Sequence, residues 1–248
     1  MTPRRARRLT ALLLFVAIIE AVCRAHLVHP TDLVPPSAMV RAMATALIEP
    51  ATVYDLWQTV RSVATSVVIA TVVGIAAGIL LHALPRLRQA CEPFIASYYA
   101  LPLFALYPLL VVILGVGTAP IVFTGTLYAA MSVLIGTLSG LDHVPRVLRR
   151  VAKVHRLGPL EALAGVYIPS CSAEILGGIT LAVSYAFVAV IASEFLLAPA
   201  GIGHEIADAY TSFRVERMYG LMLALVILTM FINAVLRHVR VRIGAPAA

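Results

Sequence analysis

The chain has one lysine, Lys153, one tryptophan and little charge of either sign: Asp, Glu, Lys and Arg make up only 12% of its 248 residues. Ordinary globular domains are about a quarter charged. At 61% hydrophobic and a mean hydropathy of +0.95, this chain carries more apolar surface than one water-soluble core can bury. A soluble enzyme and a nucleic-acid-binding protein are thereby excluded, and the chain reads as an integral membrane protein. The lysine shortage excludes more. A phosphate-cradling loop needs G-x-x-x-x-G-K-[ST], and the residue before Lys153 is Ala152, so the chain has no such loop. H-E-x-x-H and G-x-S-x-G are missing too, which leaves no catalytic constellation. Cys23, Cys91 and Cys171 form no C-x-x-C pair and lie in or beside apolar segments, so neither a disulfide framework nor a zinc site is expected. The seven histidines are scattered, and no metal or cofactor is expected.

What is present is long apolar runs. A span needs roughly 20 mostly apolar residues, and six stretches qualify: 9–27, 57–84, 94–115, 118–140, 171–198 and 217–236. The first runs into Glu20 and Arg24 without a small-residue cleavage site and is read as a retained span. Charge then sets orientation. With the amino terminus inside, the inner segments hold Arg4, Arg5, Arg7 and Arg8, then Arg86 and Arg88. Next come Arg146, Arg149, Arg150, Lys153 and Arg156, and last Arg237, Arg240 and Arg242. These are fourteen of the nineteen basic residues, so the positive-inside rule places both termini in the cytoplasm. Anionic lipid and the insertion machinery account for the arginines without nucleic acid. The outer segments carry Asp32, Glu49, Asp55, Glu205, Asp208 and Glu216, with Arg41, Arg214 and Arg217.

The longest inner loop, 141–170, carries the most information. Asp142 can cap a helix and Pro145 suits its first turn. Val147, Leu148, Val151, Val154 and Leu157 recur at helical spacing, with the basic residues on the other faces. Gly158-Pro159 reads as a helix stop, followed by a second short run from Leu160 to Val166. Such helices either rest on lipid or dock a cytoplasmic partner through the apolar face.

Within the spans, Glu194 must face protein or water, since facing lipid would cost several kcal/mol. It either lines a pathway or gate, or bonds backbone or hydroxyl groups. Glu20 pairs with Arg24 one turn on. Gly74 and Gly78 form G-x-x-x-G, a helix contact inside one subunit or between two. Pro102 and Pro108 can bend their span, with Tyr98, Tyr99 and Phe104 close by; the segment lines a pathway or is simply kinked. Thr180, Ser184 and Tyr185 make a polar stripe that lines a pore or bonds a neighbouring helix. With so few ionisable groups at depth, a proton-driven secondary transporter is disfavoured, and this or a channel is the rival reading.

Several segments in order resemble the permease subunit of bacterial ABC importers of the nitrate/sulfonate/taurine type. Gly158 and Ile168-Pro169 resemble the glycine and closing Leu-Pro of that family's cytoplasmic EAA loop, although the start here reads Ala152-Lys153-Val154. VIASEFLLAPAGIGHEI (190–206) resembles the turn after the fifth span, YYALPLFALYPLLVVILGVG (98–117) the third span, and Arg86 and Arg88 followed by Glu92-Pro93 the loop before it. The resemblance implies an all-α type I permease: one transmembrane domain over 1–248, with a peripheral first span at 9–27 and a core at 55–240. It implies a coupling loop touching an ATPase subunit through Arg150, Val151, Val154, Gly158, Leu160, Glu161 and Pro169. Tyr98, Pro102, Tyr185 and Glu194 would line the translocation pathway or gate, and Gly201 and Gly203 would form a periplasmic turn. Implied partners are separate ABC ATPase subunits, a second permease subunit (a homodimer), a substrate-binding protein and the lipid of the bacterial inner membrane. The implied activity is ATP-driven import of a small solute by alternating access.

Overall fold

The computed structural model describes residues 3–25, 27–29 and 32–242. Among them every regular element is helical: α1 (Pro3–Arg24), α2 (Pro36–Ala46), α3 (Pro50–Ala83), α4 (Pro85–Ser97), α5 (Tyr107–Leu114), α6 (Thr118–Asp142), α7 (Arg146–Val154), α8 (Pro159–Ala162), α9 (Ile168–Ser170), α10 (Ser172–Leu197), α11 (Ile202–Thr211) and α12 (Val215–Arg242). Proline is the first residue of α2, α3, α4 and α8. There its missing N–H costs nothing, because a first-turn amide has no partner within the helix.

Among the described residues, four helices are long and apolar enough to cross a membrane: Pro50–Ala83, Thr118–Asp142, Ser172–Leu197 and Val215–Leu236. They match four of the six expected stretches within a few residues, apart from longer starts or ends. The expected span 94–115 is not one helix. Helix α4 ends at Ser97, two 3-10 turns follow at Tyr98–Ala100 and Leu103–Leu106, and α5 begins at Tyr107. Leu101 is extended (φ −80°, ψ 125°), the conformation a residue before proline prefers, so Pro102 breaks the chain instead of merely bending it. The first expected stretch is helical through Arg24 as α1, but Arg7, Arg8, Glu20 and Arg24 crowd it with charge, and it is not among the four.

The chain divides into two compact units, Met1–Gln58 with Ala200–Leu228 and Thr59–Pro199 with Thr229–Ala248. In the first, Ala46, Ile202, Ile206 and Leu221 form a buried cluster. Glu20 accepts from Arg24 Nε at 2.6 Å, the expected one-turn pair, and also from the Ser37 amide at 3.0 Å and hydroxyl at 2.7 Å. Ser37 is the second residue of α2, so Glu20 satisfies one of that helix's orphan amides from another helix.

The second unit is organised by glycine. A Cβ at Gly74 would stand 2.6 Å from Val133 Cβ, and one at Gly78 would stand 2.7 Å from Thr137 Cβ. The G-x-x-x-G therefore packs α3 against α6 of the same chain. On the other side of α6, a Cβ at Gly178 would meet the Ser132 carbonyl oxygen at 2.7 Å, and one at Gly136 the Glu174 carbonyl at 2.8 Å. Helices α6 and α10 thus meet backbone to backbone, the close approach small residues permit. Gly178→Val should lower stability by about 1–3 kcal/mol, since carbonyl oxygens cannot move like side-chain tips. Gly165→Ala, with open space around it, should be near neutral. Thermal unfolding in detergent checks both, and equal midpoints would remove close approach as the determinant.

Candidate functional site

The loop after α6 builds a short, strongly amphipathic helix. Helix α6 continues through Asp142, and Pro145 is the N-cap residue of α7, so Asp142 does not cap α7 as the sequence suggested. Nor does Gly158-Pro159 stop it. Helix α7 ends at Val154 through bonds from the Arg156 amide to the Lys153 carbonyl (3.1 Å) and from the Leu157 amide to the Ala152 carbonyl (3.0 Å). This is a Schellman closure with Arg156 in the left-handed region at φ 52°, a place glycine normally takes. Gly158 instead starts α8, its amide donating to Glu161 Oε2 at 2.9 Å. After α8 the chain runs through a π-helical turn, Leu163–Tyr167, and then α9.

Val147, Val151 and Val154 lie at i, i+4 and i+7 and are exposed, Val154 at 78%; Leu160 on α8 is also 78% exposed. Ala152 faces inward and is buried. Of the other expected coupling residues, Arg150, Glu161 and Pro169 are exposed and Gly158 is half-buried. The loop therefore presents an apolar stripe ringed by arginine, which stays exposed among the described residues.

The expected pathway residues fall into two groups. Glu194, on α10, is 1% exposed, and its two carboxylate oxygens accept from the Thr59 hydroxyl at 3.0 and 2.8 Å. Tyr107, which opens α5, is fully buried. Tyr98 is buried, and its hydroxyl donates to the Leu127 carbonyl at 2.8 Å. Tyr99 sits edge-on to Tyr98 (5.7 Å) and stacks on Tyr185 (4.6 Å, 22°), so three aromatic rings join the broken segment to α10. Pro102 is exposed between the two 3-10 turns. In the polar stripe, Thr180 bonds its own helix at the Leu176 carbonyl, while Ser184 reaches Asn233 of α12 at 3.4 Å. Gly201 and Gly203 are buried at the start of α11; Gly201 has φ 108°, and its amide donates to Asp55 Oδ1 at 3.0 Å.

Sequence reasoning missed an ionic cluster in the other unit. Arg217 forks onto Glu49 (2.9 and 2.7 Å), bonds Glu205 and reaches the Thr52 hydroxyl, which donates to Glu205 at 2.8 Å. A cavity of about 610 Å³ opens beside it, walled partly by Arg41, Thr45, Phe213 and Arg214. The only signal in the sequence was that charges are rare enough here for each to need a partner. Among the described residues no cluster of His, Cys, Asp or Glu could hold a metal ion.

Two outcomes follow. Arg156→Gly should keep the loop folded and stabilise the end of α7 by about 1 kcal/mol, read as slower amide exchange in 146–154. The hydrogen bond from Arg217 holds the Glu49 carboxyl below its ordinary 4.5. A depressed folded-state value makes the contribution full above that pH and lost as pH falls through the folded value. Glu49→Gln should therefore flatten the acid-side loss of stability, and an unaltered pH dependence would show that the pair is energetically silent.

The family model for binding-protein-dependent transport system inner membrane components matches residues 70–243. A protein of Brucella melitensis named as a probable ABC transporter permease is 26% identical over 203 residues, 82% of each chain. The bicarbonate transport system permease protein CmpB of Synechocystis is 32% identical over 158 residues, 62% of this chain and 56% of that one. A nitrate import permease protein of Leptolyngbya laminosa is 29% identical over 159 residues, 63% and 57%. In fold, the chain resembles the inward-facing MetNI methionine ABC transporter with a TM-score of 0.69 at 17% identity, covering 77% of this chain and 95% of that one. With a match across most of its length, including α6, the exposed loop and the buried Glu194, the chain belongs to the family of binding-protein-dependent transport system inner membrane components, and it is an ABC transporter permease.

Proposed function

We propose that this permease imports a small solute by ATP-driven alternating access, taking its energy through α7 and α8. The observation that carries the reading is the exposed stripe of Val147, Val151 and Val154 with Leu160. Four large aliphatic side chains facing water are costly unless a partner covers them, at about 25 cal/mol per Å² of apolar surface. The chain has no phosphate-cradling loop of its own, so the covering partner would be the ATPase, a separate polypeptide. Arg150, Gly158, Glu161 and Pro169 rim or shape that surface.

In this reading both termini are cytoplasmic, and 1–248 acts as one permease domain with α1 as a peripheral span. Two copies would form the pathway, and an extracellular substrate-binding protein would deliver the solute to the side carrying Gly201 and Gly203. Tyr98, Pro102, Tyr185 and Glu194 belong to the broken segment and the helix it stacks on, where an alternating pathway needs movable parts. Relatives named for bicarbonate and nitrate support a small anion, with sulfonates such as taurine in the same size range.

Val151→Asp or Val154→Asp should abolish co-purification with the cognate ATPase subunit, while membrane insertion stays normal. Normal yields of the complex from both variants would place the coupling surface elsewhere. Transport by the purified chain in ATPase-free liposomes would instead favour a secondary transporter or channel. Titration calorimetry of the cognate binding protein with nitrate, bicarbonate and taurine tests the solute class.

A further inference from the structure

Asp142 is the last residue of α6, where the helix dipole disfavours a negative charge. Its surroundings supply a reason for it to stand there. Arg88, on α4, reaches both carboxylate oxygens, Oδ1 at 3.0 Å and Oδ2 at 2.8 Å. His82 Nδ1, at the end of α3, lies 3.0 Å from Oδ1. Arg149 of α7 donates to the Leu141 carbonyl at 3.0 Å and the Asp142 carbonyl at 3.3 Å. The end of α6 is therefore a knot: its side chain holds α3 and α4, and its terminal carbonyls hold the helix bearing the exposed valines.

We infer that Arg149, Asp142 and Arg88 form a strut that passes displacement of α7 to α4, and so to the broken segment that follows α4, independently of the covalent path through α8 to α10. Asp142, Arg88 and Arg149 are positioning residues; they need touch neither solute nor nucleotide. All are partly exposed, so the pairs add little to stability. What they fix is geometry: Arg88 Nη1 sits between both carboxylate oxygens through charge-assisted contacts, while Arg149 pins the carbonyls of the same helix end. The strut rests on the coupling reading of α7, and its test is built so that the two can fail separately.

Cys91 is a native reporter on α4: it is half-buried, while Cys23 and Cys171 are buried. In the assembled transporter, maleimide labelling of Cys91 should differ between ATP-bound and nucleotide-free states. Asp142→Asn should shrink that difference at least fivefold while the ATPase still co-purifies in normal yield. The exchange Asp142→Arg with Arg88→Asp should restore it, which a merely structural loss would not allow. In the isolated chain, Arg149→Gln, which removes the donor to the Leu141 and Asp142 carbonyls, should speed amide exchange in α7 about threefold, with helicity unchanged. If Asp142→Asn keeps the full ATP-dependent difference at Cys91, or Arg149→Gln leaves α7 exchange unchanged, the strut is wrong. If wild-type chain recruits no ATPase, the coupling reading fails, and α7 exchange still decides whether the strut holds.

Discussion

Backbone approach across α6 is the constraint on which the second unit depends. In hydrocarbon no water serves unpaired amides, and no hydrophobic force draws one apolar helix to another. Association then rests on dispersion and on how near two backbones can come. Gly74 and Gly78 give α3 that access to α6; Gly136 and Gly178 give it to α6 and α10. The polar side chains along these seams rarely compete with it. The hydroxyls of Thr71, Thr124, Thr137, Thr180 and Ser193 each donate to the carbonyl one turn back, inside their own helix, while Ser66 and Ser132 also reach a carbonyl of the facing helix, Val122 and Gly178, at 3.2 Å. Close packing and satisfied hydroxyls go together, because an unsatisfied hydroxyl at a glycine seam would cost more than the seam returns.

Glu194 departs from that pattern. A carboxylate cannot be satisfied by its own helix, which offers carbonyls on that face and no free donors. It needs a donor from elsewhere in the fold and takes the Thr59 hydroxyl from α3. This contact ties α3 to α10. A pathway role and a tying role for Glu194 are compatible: a group that must change partners during a cycle has to be well partnered in each state.

The spans α3, α6, α10 and α12 were legible because a membrane solvent rewards a one-dimensional property, unbroken hydropathy over about 20 residues. The break at Pro102 was half legible. Both prolines were noted as benders, but hydropathy alone ran a span straight through them, since local backbone rules do not register in an average. Of the apolar positions that the spacing put on α7, Val147, Val151 and Val154 form its exposed stripe, Leu148 is half-buried and Leu157 lies beyond the helix. The ends of α7 were not legible: Arg156 takes the left-handed cap where Gly158 was the natural candidate, and Asp142 serves α3 and α4 instead of capping α7. The cluster around Arg217 was illegible for the same reason. Glu49, Glu205 and Arg217 meet only through tertiary packing, and no spacing rule links residues so far apart in the chain.

The route from the loop to the buried carboxylate has a mechanical character that follows from local backbone chemistry. Pro169 has no amide to donate, and the chain absorbs the missing bond in the π-helical turn Leu163–Tyr167, immediately before α9 and α10. Beyond it, α10 runs 26 residues without interruption, about 39 Å at 1.5 Å per residue. Such a rod transmits a tilt or translation at its loop end to Tyr185 and Glu194 with little loss. The parallel segment from α4 to α5 cannot do so, because Pro102 divides it into short pieces that must be positioned one by one. The unbroken α10 is thus stiff and the segment from α4 to α5 jointed, the two tied together by the stack of Tyr99 on Tyr185. Under the proposed coupling, a displacement delivered at the loop would move α10 as a body, while the jointed side would respond through its contacts.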